Sequence, residues 1–311
     1  MQEFLEDATA GDPITGMKWT HHSLRKLCKA LRRRGVKLAP TTLARLLRRL
    51  HFSLRTCRKK KAGIRHRDRD RQFGYLLRLR NWFLKRKRPV ISVDTKKKEL
   101  VGNFKNPGRA WRRQPRAVLD HDFPSWAEGR AIPVGIYDLA YNDGYVVIGT
   151  THETPHSEVA AIRHWWLEVG RKRYADRRML LEVDSGGAND HRKWEWKLAL
   201  QALADEFGLT ITVTHFPPGA SKWNPIDHRM FSLISANWAG EPLVSYEMML
   251  KHIRTTRSDT GFHCRACMDW REYPIIRKFT VAQKASIRIK RKCVLPNWNY
   301  TIRPHTRNSI S

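Results

Sequence analysis

Three aspartates stand where an acid could do chemistry. Asp94 ends the apolar run Pro89-Val-Ile-Ser-Val-Asp94, Asp184 ends Met179-Leu-Leu-Glu-Val-Asp184, and Asp227 follows Pro225 near the start of a helical pattern. A single Asp at a strand end ordinarily caps a loop. Two such strand-end acids, with a third near a helix start, make a more specific pattern. Three converging carboxylates repel one another unless a divalent cation neutralises them. Hard oxygen ligands of this kind suit Mg²⁺ or Mn²⁺. A pair of such ions activates water or a 3′-hydroxyl and stabilises the leaving oxygen in phosphodiester chemistry.

The elements that would position these acids are legible from periodicity. Ile132 to Asp138 and Gly144 to Thr150 read as strands around an Asn142-Asp143-Gly144 hairpin turn. Ser157 to Val169 reads as a helix capped by Ser157, His191 to Phe207 as a helix, and Leu209 to Thr214 as a strand. Pro225 starts a helix running to about Trp238. The order is that of a mixed α/β sheet with helical cover, in which function sits where strands end. Glu99 reads as a surface partner of Lys97 or Lys98, and Asp120, Asp122, Asp138 and Asp143 as turn or cap residues. Ser185-Gly186-Gly187 fits neither a nucleophile elbow nor a phosphate loop and reads as a close turn. His228 adjoins Asp227, but neighbouring helical residues point about 100° apart, which leaves it a minor role. Cys264-Arg-Ala-Cys267 lacks the second pair that a structural zinc site needs.

The charge points to the substrate. The 311 residues carry 60 Lys+Arg against 29 Asp+Glu, a net of +31, which calls for a polyanionic partner, nucleic acid first and an acidic membrane surface second. Residues 1–90 hold 26 basic and 6 acidic residues, a net of +20, so the two parts of the chain have different tasks. A helix from Thr20 or Ser23 to about Arg34, stopped by Gly35, precedes one opened by Pro40. In the second helix Leu43, Leu46, Leu47 and Leu50 face inward while Arg45, Arg48 and Arg49 face outward. This is a helix-turn-helix pattern that sets Thr41, Thr42 and Arg45 at a DNA groove, with Arg48 beside them; a plain basic helical hairpin reads equally well. His51 to Arg71 reads as a wing or linker, and Phe73 to Lys87 as a connecting helix. Lys96, Lys97 and Lys98 read as phosphate contacts, as do Lys222 and Arg229, and Trp223 as a platform for an extruded base. No run approaches the roughly 18 apolar residues of a membrane span. Five scattered cysteines, Cys28, Cys57, Cys264, Cys267 and Cys293, suggest reduced thiols and a cytoplasmic protein.

Longer blocks carry a resemblance. Ile91-Ser-Val-Asp94-Thr-Lys-Lys-Lys-Glu-Leu-Val-Gly-Asn-Phe-Lys105, Gly135-Ile-Tyr-Asp-Leu-Ala140, Asp184-Ser-Gly-Gly-Ala-Asn189 and His215-Phe-Pro-Pro-Gly-Ala-Ser-Lys-Trp-Asn-Pro-Ile-Asp-His-Arg-Met-Phe231 resemble insertion-sequence transposases of the Rhodopirellula type. These belong to the DDE superfamily, distantly related to Tc1/mariner transposases. Shorter blocks at His121 to Pro124, Ile162 to Trp166 and Trp298 to Ile302 extend the resemblance over residues 17–303. It implies a ribonuclease-H-like catalytic domain over 88–303, preceded by a small all-α helix-turn-helix region over 1–72 and a connecting helix over 73–87, with a tail over 304–311. Asp94, Asp184 and Asp227 become its first, second and third carboxylates. The resemblance implies that they hold two Mg²⁺ or Mn²⁺ ions, sharing Asp94 and Asp184, with Asp227 completing the shell of the second. The implied partners are double-stranded DNA, as terminal repeats and target, and further copies of the chain on that DNA, in a bacterial nucleoid. Two features depart from the family: Asp227 stands where Glu is usual, and the chain begins close to the first matching block. The alternative is therefore a truncated, catalytically impaired copy that only binds DNA.

Overall fold

The computed structural model describes residues 23–53, 66–220, 223–273, 275 and 278–305, with the backbone of 10–11 and 18–19. The chain divides into two compact units, Met1–Lys61 and Ala62–Ser311.

In the first unit, β1 (Ala10–Gly11) pairs antiparallel with β2 (Lys18–Trp19). Helix α1 (Leu24–Arg33) is capped by Ser23, whose Oγ accepts from the Lys26 N–H at 3.3 Å. Thr20, the other cap expected, lies outside the described residues. Gly35, at φ 83°, turns the chain into α2 (Pro40–Arg49), which starts on proline as the sequence predicts. Leu27, Leu31 and Leu43 form the buried seam, with Leu24, Cys28 and Leu47 packed on it. Leu50, expected inward, is instead 37% exposed. The helix has ended one residue earlier, and His51 takes a left-handed turn at φ 63°. Most of the expected wing, residues 54–65, lies outside the described residues.

The second unit is built on one mixed sheet. Its strands are β3 (Val90–Thr95), β4 (Glu99–Val101), β5 (Gly129–Asp138), β6 (Asp143–Gly149), β7 (Arg178–Val183), β8 (Thr210–His215), β9 (His263–Asp269), β10 (Ile289–Arg291) and β11 (Asn299–Ile302). They lie in the order β10-β11-β8-β7-β3-β5-β6-β9, with β4 alongside β5. β3, β5 and β6 form an antiparallel meander, and β7 and β8 then add in parallel on the far side of β3. Parallel neighbours need crossovers, supplied here by α4 (Pro155–Trp165) and α5 (Trp194–Phe207). This is the ribonuclease-H-like sheet implied by the resemblance. One core packs Ile91, Val93, Leu181 and Val213 under Ile162, Trp165, Trp196 and Leu200 of the two crossover helices. A second, on the opposite face, sets Tyr137, Val146 and Ile148 against Ile226, Met230, Trp238 and Met249.

Local boundaries moved for identifiable reasons. Helix α4 is capped by Thr154 rather than Ser157; Ser157 instead returns the bond, its Oγ accepting from the Thr154 N–H at 3.0 Å. The helix expected as a connector is α3 (Arg69–Lys85), and it is docked on the sheet of its own unit. Fully buried Gln72 donates to the His215 carbonyl at 2.8 Å and to Asn299 Oδ1 at 2.9 Å, and Arg80 forks onto buried Glu182 at 2.8 and 2.6 Å. Polar residues making buried contacts look solvated in a sequence, which hid this docking face. The strand β9 separates Cys264 and Cys267 by three residues, so they point to opposite faces of the sheet. Cys264 joins the second core, whereas Cys267 lies 3.5 Å from the Tyr145 hydroxyl at the first.

Gly135 allows the close approach of the segment that carries Asp227. A Cβ there would lie 2.5 Å from Phe231 Cε1 and 3.0 Å from Met230 Cε. Gly135→Ala is therefore expected to destabilise the fold by about 1–3 kcal/mol, read from the denaturation midpoint. Gly186→Ala, where a Cβ meets nothing within 4 Å, provides the control. Equal midpoints for the two variants would show that the approach at Gly135 is not tight.

Candidate active site

The parallel register of β3 and β7 brings the first two acids together. Ile91 faces Leu181 and Val93 faces Val183, so Asp94 and Asp184 occupy the next matched level at the ends of adjacent strands. Neighbouring strands run about 4.8 Å apart. The same local turn fixes each acid: the Thr95 N–H donates to Asp94 Oδ1 at 2.8 Å, and the Ser185 N–H to Asp184 Oδ1 at 2.7 Å. The Ser185 hydroxyl donates to the Phe216 carbonyl, tying this turn to the end of β8. Across β3, Asp94 is paired in register with Gly135. That places the notch at Gly135 beside the acid, with Asp227 four residues before Phe231 in a π-helical segment, Asp227–Phe231.

Electrostatics couple the three acids. Burial pushes Asp94 up to about 7, and the charges of Asp227 and Asp184 push the same way. Burial also raises Asp184. Asp227 is raised by burial and by Asp184, while His228 pulls it down. Among the described residues, no three His, Cys, Asp or Glu side chains stand close enough to hold a metal ion as they are. Even so, Asp94 feels the charges of both Asp227 and Asp184, and Asp227 that of Asp184. The donor set nonetheless fits a hard divalent cation: all oxygen, partly buried, and carrying like charges that such an ion would neutralise.

Several residues around the acids were not singled out in the sequence. Asn224 is fully buried; its Oδ1 accepts from the Ser92 hydroxyl, which turns its amide toward Asp94 Oδ2 at 3.5 Å. Glu158, in the first turn of α4, accepts from the Thr95 hydroxyl at 3.2 Å. Burial drives Glu158 up to about 8, with Asp94 and Glu153 adding to the rise. Behind Asp184, buried His215 donates from Nδ1 to the Asp184 carbonyl at 2.9 Å. A carbonyl can only accept, so the proton sits on Nδ1 and Nε2 faces the Tyr300 hydroxyl at 3.3 Å. Burial lowers this histidine to about 3. Only Gly135 left a usable signal, since a glycine inside a β-branched run marks a close approach. The others read as ordinary polar residues until the fold brings them in.

The expected DNA contacts divide. Lys96 does not face solvent: it is 8% exposed, pairs with Glu99 at 2.8 Å and lies 4.6 Å from the Trp238 ring. Its N–H bonds the Pro133 carbonyl, so strand alternation continues past Thr95 and keeps Lys96 on the face of Asp94. Glu99 is thus the partner of Lys96, not of Lys97 or Lys98. Lys97 is exposed, and Lys98 is exposed while pairing with Glu153 at 3.0 Å. Trp223 is 45% exposed, with the Arg69 guanidinium 4.2 Å from its ring centre and Phe73 at its edge. Arg229 and His228 are exposed, and Lys222 lies outside the described residues. In the first unit Thr41, Arg45 and Arg48 are exposed on α2 and Thr42 is half-buried. Asp138 and Asp143, read as turn residues, are buried ion-pair partners of Arg173 at 2.9 and 2.6 Å.

A family model described as Rhodopirellula transposase DDE domain matches residues 1–304. Among solved structures, the chain is similar to the mariner Mos1 paired end complex with Mg, at TM-score 0.45 and 15% identity over 74% of this chain and 65% of that one. It is also similar to the Mos1 Strand Transfer Complex, at TM-score 0.44 and 14% identity over 74% of this chain and 64% of the other. The chain therefore spans slightly less than two thirds of the length of the solved chains it matches. No curated protein matches it.

The raised carboxyls set a pH dependence for the metal-free protein. An acid raised in the folded state contributes stability that is full below its unfolded value, near 3.8 for Asp94, and lost as pH rises through about 7. Glu158 extends the same trend to about 8. The melting temperature is therefore expected to fall between pH 5 and 8 in the presence of a chelator. Asp94→Asn should raise stability at pH 8 by about 1–2 kcal/mol and leave it nearly unchanged at pH 4. A variant that melts below the parent at pH 8 would refute the view that burial, aided by neighbouring acids, opposes ionisation of Asp94.

Proposed function

We propose that this chain, which belongs to the Rhodopirellula-type family of DDE transposases, is a DNA transposase of an insertion sequence. It binds terminal repeats through the basic helices of its first unit and breaks and joins phosphodiesters at Asp94, Asp184 and Asp227. The observation that carries this reading is the matched placement of Asp94 and Asp184 at the ends of adjacent parallel strands, electrostatically coupled to Asp227.

Asp94 and Asp184 would together hold two Mg²⁺ or Mn²⁺ ions, with Asp227 completing the shell of the second. When bound, such ions activate water or a 3′-hydroxyl and stabilise the leaving oxygen. The chain's own residues orient the acids. The Thr95 and Ser185 amides fix one oxygen of Asp94 and of Asp184. Asn224, itself set by Ser92, points its amide at the other oxygen of Asp94. Lys97 and Arg229 are exposed cations close in sequence to the acids, suited to phosphates. Copies of the chain would assemble on DNA. Among the described residues, no helix is long and apolar enough to cross a membrane. A second reading, a copy that binds DNA without cutting it, draws on Asp227, whose side chain is one methylene shorter than the Glu usual at that position.

Incubation with terminal-repeat duplex and Mn²⁺ should release 3′-hydroxyl ends. Asp184→Asn is expected to cut at least about 100-fold more slowly, and Asn224→Ala about 10–100-fold more slowly through misplacement of Asp94. Tight binding with no metal-dependent ends from the parent protein would establish the second reading instead.

The shorter third acid generates a separate expectation. Asp227→Glu extends the carboxylate by one methylene toward its partners. Cleavage should rise if reach limits the site, as measured by initial rates at saturating Mn²⁺. An unchanged or lower rate would exclude reach as the limitation.

A further inference from the structure

We propose that the basic groove between α3 and the β8-β11-β10 side of the sheet holds the sugar-phosphate backbone of a second stretch of DNA, apart from the one at the carboxylates. This surface depends on the transposase reading and extends it. The groove encloses about 510 Å³, with Tyr75, Arg78 and Trp82 of α3 on one side and Lys290, Lys292 and Arg303 on the other. Arg178, at the first residue of β7, also lines the groove but is already paired with Asp176 at 2.7 Å, so the positive character comes from Arg78, Lys290, Lys292 and Arg303.

Lys290, Lys292 and Arg303 crowd together on one side of this groove, whereas Asp94 and Asp184 crowd at the other end of the sheet. Burial lowers the Lys292 amine, and the charges of Lys290 and Arg303 lower it further. A bound polyanion would relieve that repulsion. The apolar surface suits a nucleic-acid strand rather than a free ion. Trp82 is 42% exposed, with the guanidinium carbon of Arg86 4.3 Å from its ring centre, while Arg88, 4.6 Å from the same ring, is buried and paired with Asp176 at 2.7 Å. Aromatic rings interleaved with cations are how proteins track a backbone without reading its sequence.

The groove is not part of the catalytic end. Arg178 opens β7 and Asp184 follows its last residue, which at a strand rise of about 3.3 Å per residue separates them by about 20 Å. DNA seated in the groove would be a different segment from the one being cut.

The test compares the full-length protein with Lys290→Glu/Arg303→Glu and with a control of equal charge change, Lys251→Glu/Lys278→Glu, all four positions being exposed. Binding of a random-sequence duplex is measured across a salt series, and terminal-repeat cleavage in Mn²⁺ is measured beside it. The groove variant should bind about tenfold or more weakly and lose about 2 from the slope of log affinity against log salt, while the control changes far less. The milder Lys290→Ala/Arg303→Ala should shift affinity in the same direction while melting like the parent. Equal losses in groove and control variants would overturn the proposal. So would a groove variant with parental DNA affinity but an altered oligomeric state by sedimentation, which would assign the surface to a second copy. A parent that cleaves ends while the groove variants bind normally would sink the groove alone. A parent that neither binds nor cleaves would instead remove the transposase reading on which the groove depends.

Discussion

Burial of two carboxylates at the ends of parallel strands is the constraint that the surrounding structure answers. Asp94 and Asp184 sit at one level because Val93 and Val183 are paired below them. Nothing local would choose this placement, since burial opposes ionisation of both acids and the charges of Asp227 and Asp184 add to it at Asp94. The cores on the two faces of the sheet supply the stability that lets it persist. The cost of burying charge is therefore concentrated at these acids.

The surrounding structure limits how that cost can be relieved. Backbone amides of Thr95 and Ser185 hold one oxygen of each acid, so neither side chain turns away freely. Gly135 lets the Asp227 segment settle close against the sheet, where an ordinary side chain would strike Phe231. Gln72, Thr214 and Asn299 join α3, β8 and β11 through buried polar contacts, bracing the strand that carries His215 behind Asp184. Such a network adds specificity only because its members satisfy one another.

Charge is divided along the same lines. The first unit presents Arg45 and Arg48 on a helix whose leucines are turned inward. The second keeps Asp94 and Asp184 at one end of the sheet and gathers Lys290, Lys292 and Arg303 at a groove elsewhere on it. Lys96 is the exception that clarifies the pattern, a lysine drawn inside by strand alternation and neutralised by Glu99. Its type suggested a phosphate contact, but its register decided its partner.

Much was legible without coordinates. The strand runs ending at Asp94 and Asp184, the two N-terminal helices and the crossover helices follow from apolar periodicity, because burial imposes a period on any element with one covered face. The excess of positive charge follows from composition alone. Other features have no such local trace. The docking of α3 depends on Gln72 and Arg80, whose buried partners lie more than 100 residues away. Asn224, Glu158 and His215 gain meaning only from their neighbours across the sheet. The sequence by itself determined the types of chemistry available and the elements that carry them, since propensity and periodicity act over a few residues. Tertiary structure alone decided what surrounds Asp94 and Asp184, that Lys96 is withdrawn and where cations gather, since register and packing join residues that no local pattern relates.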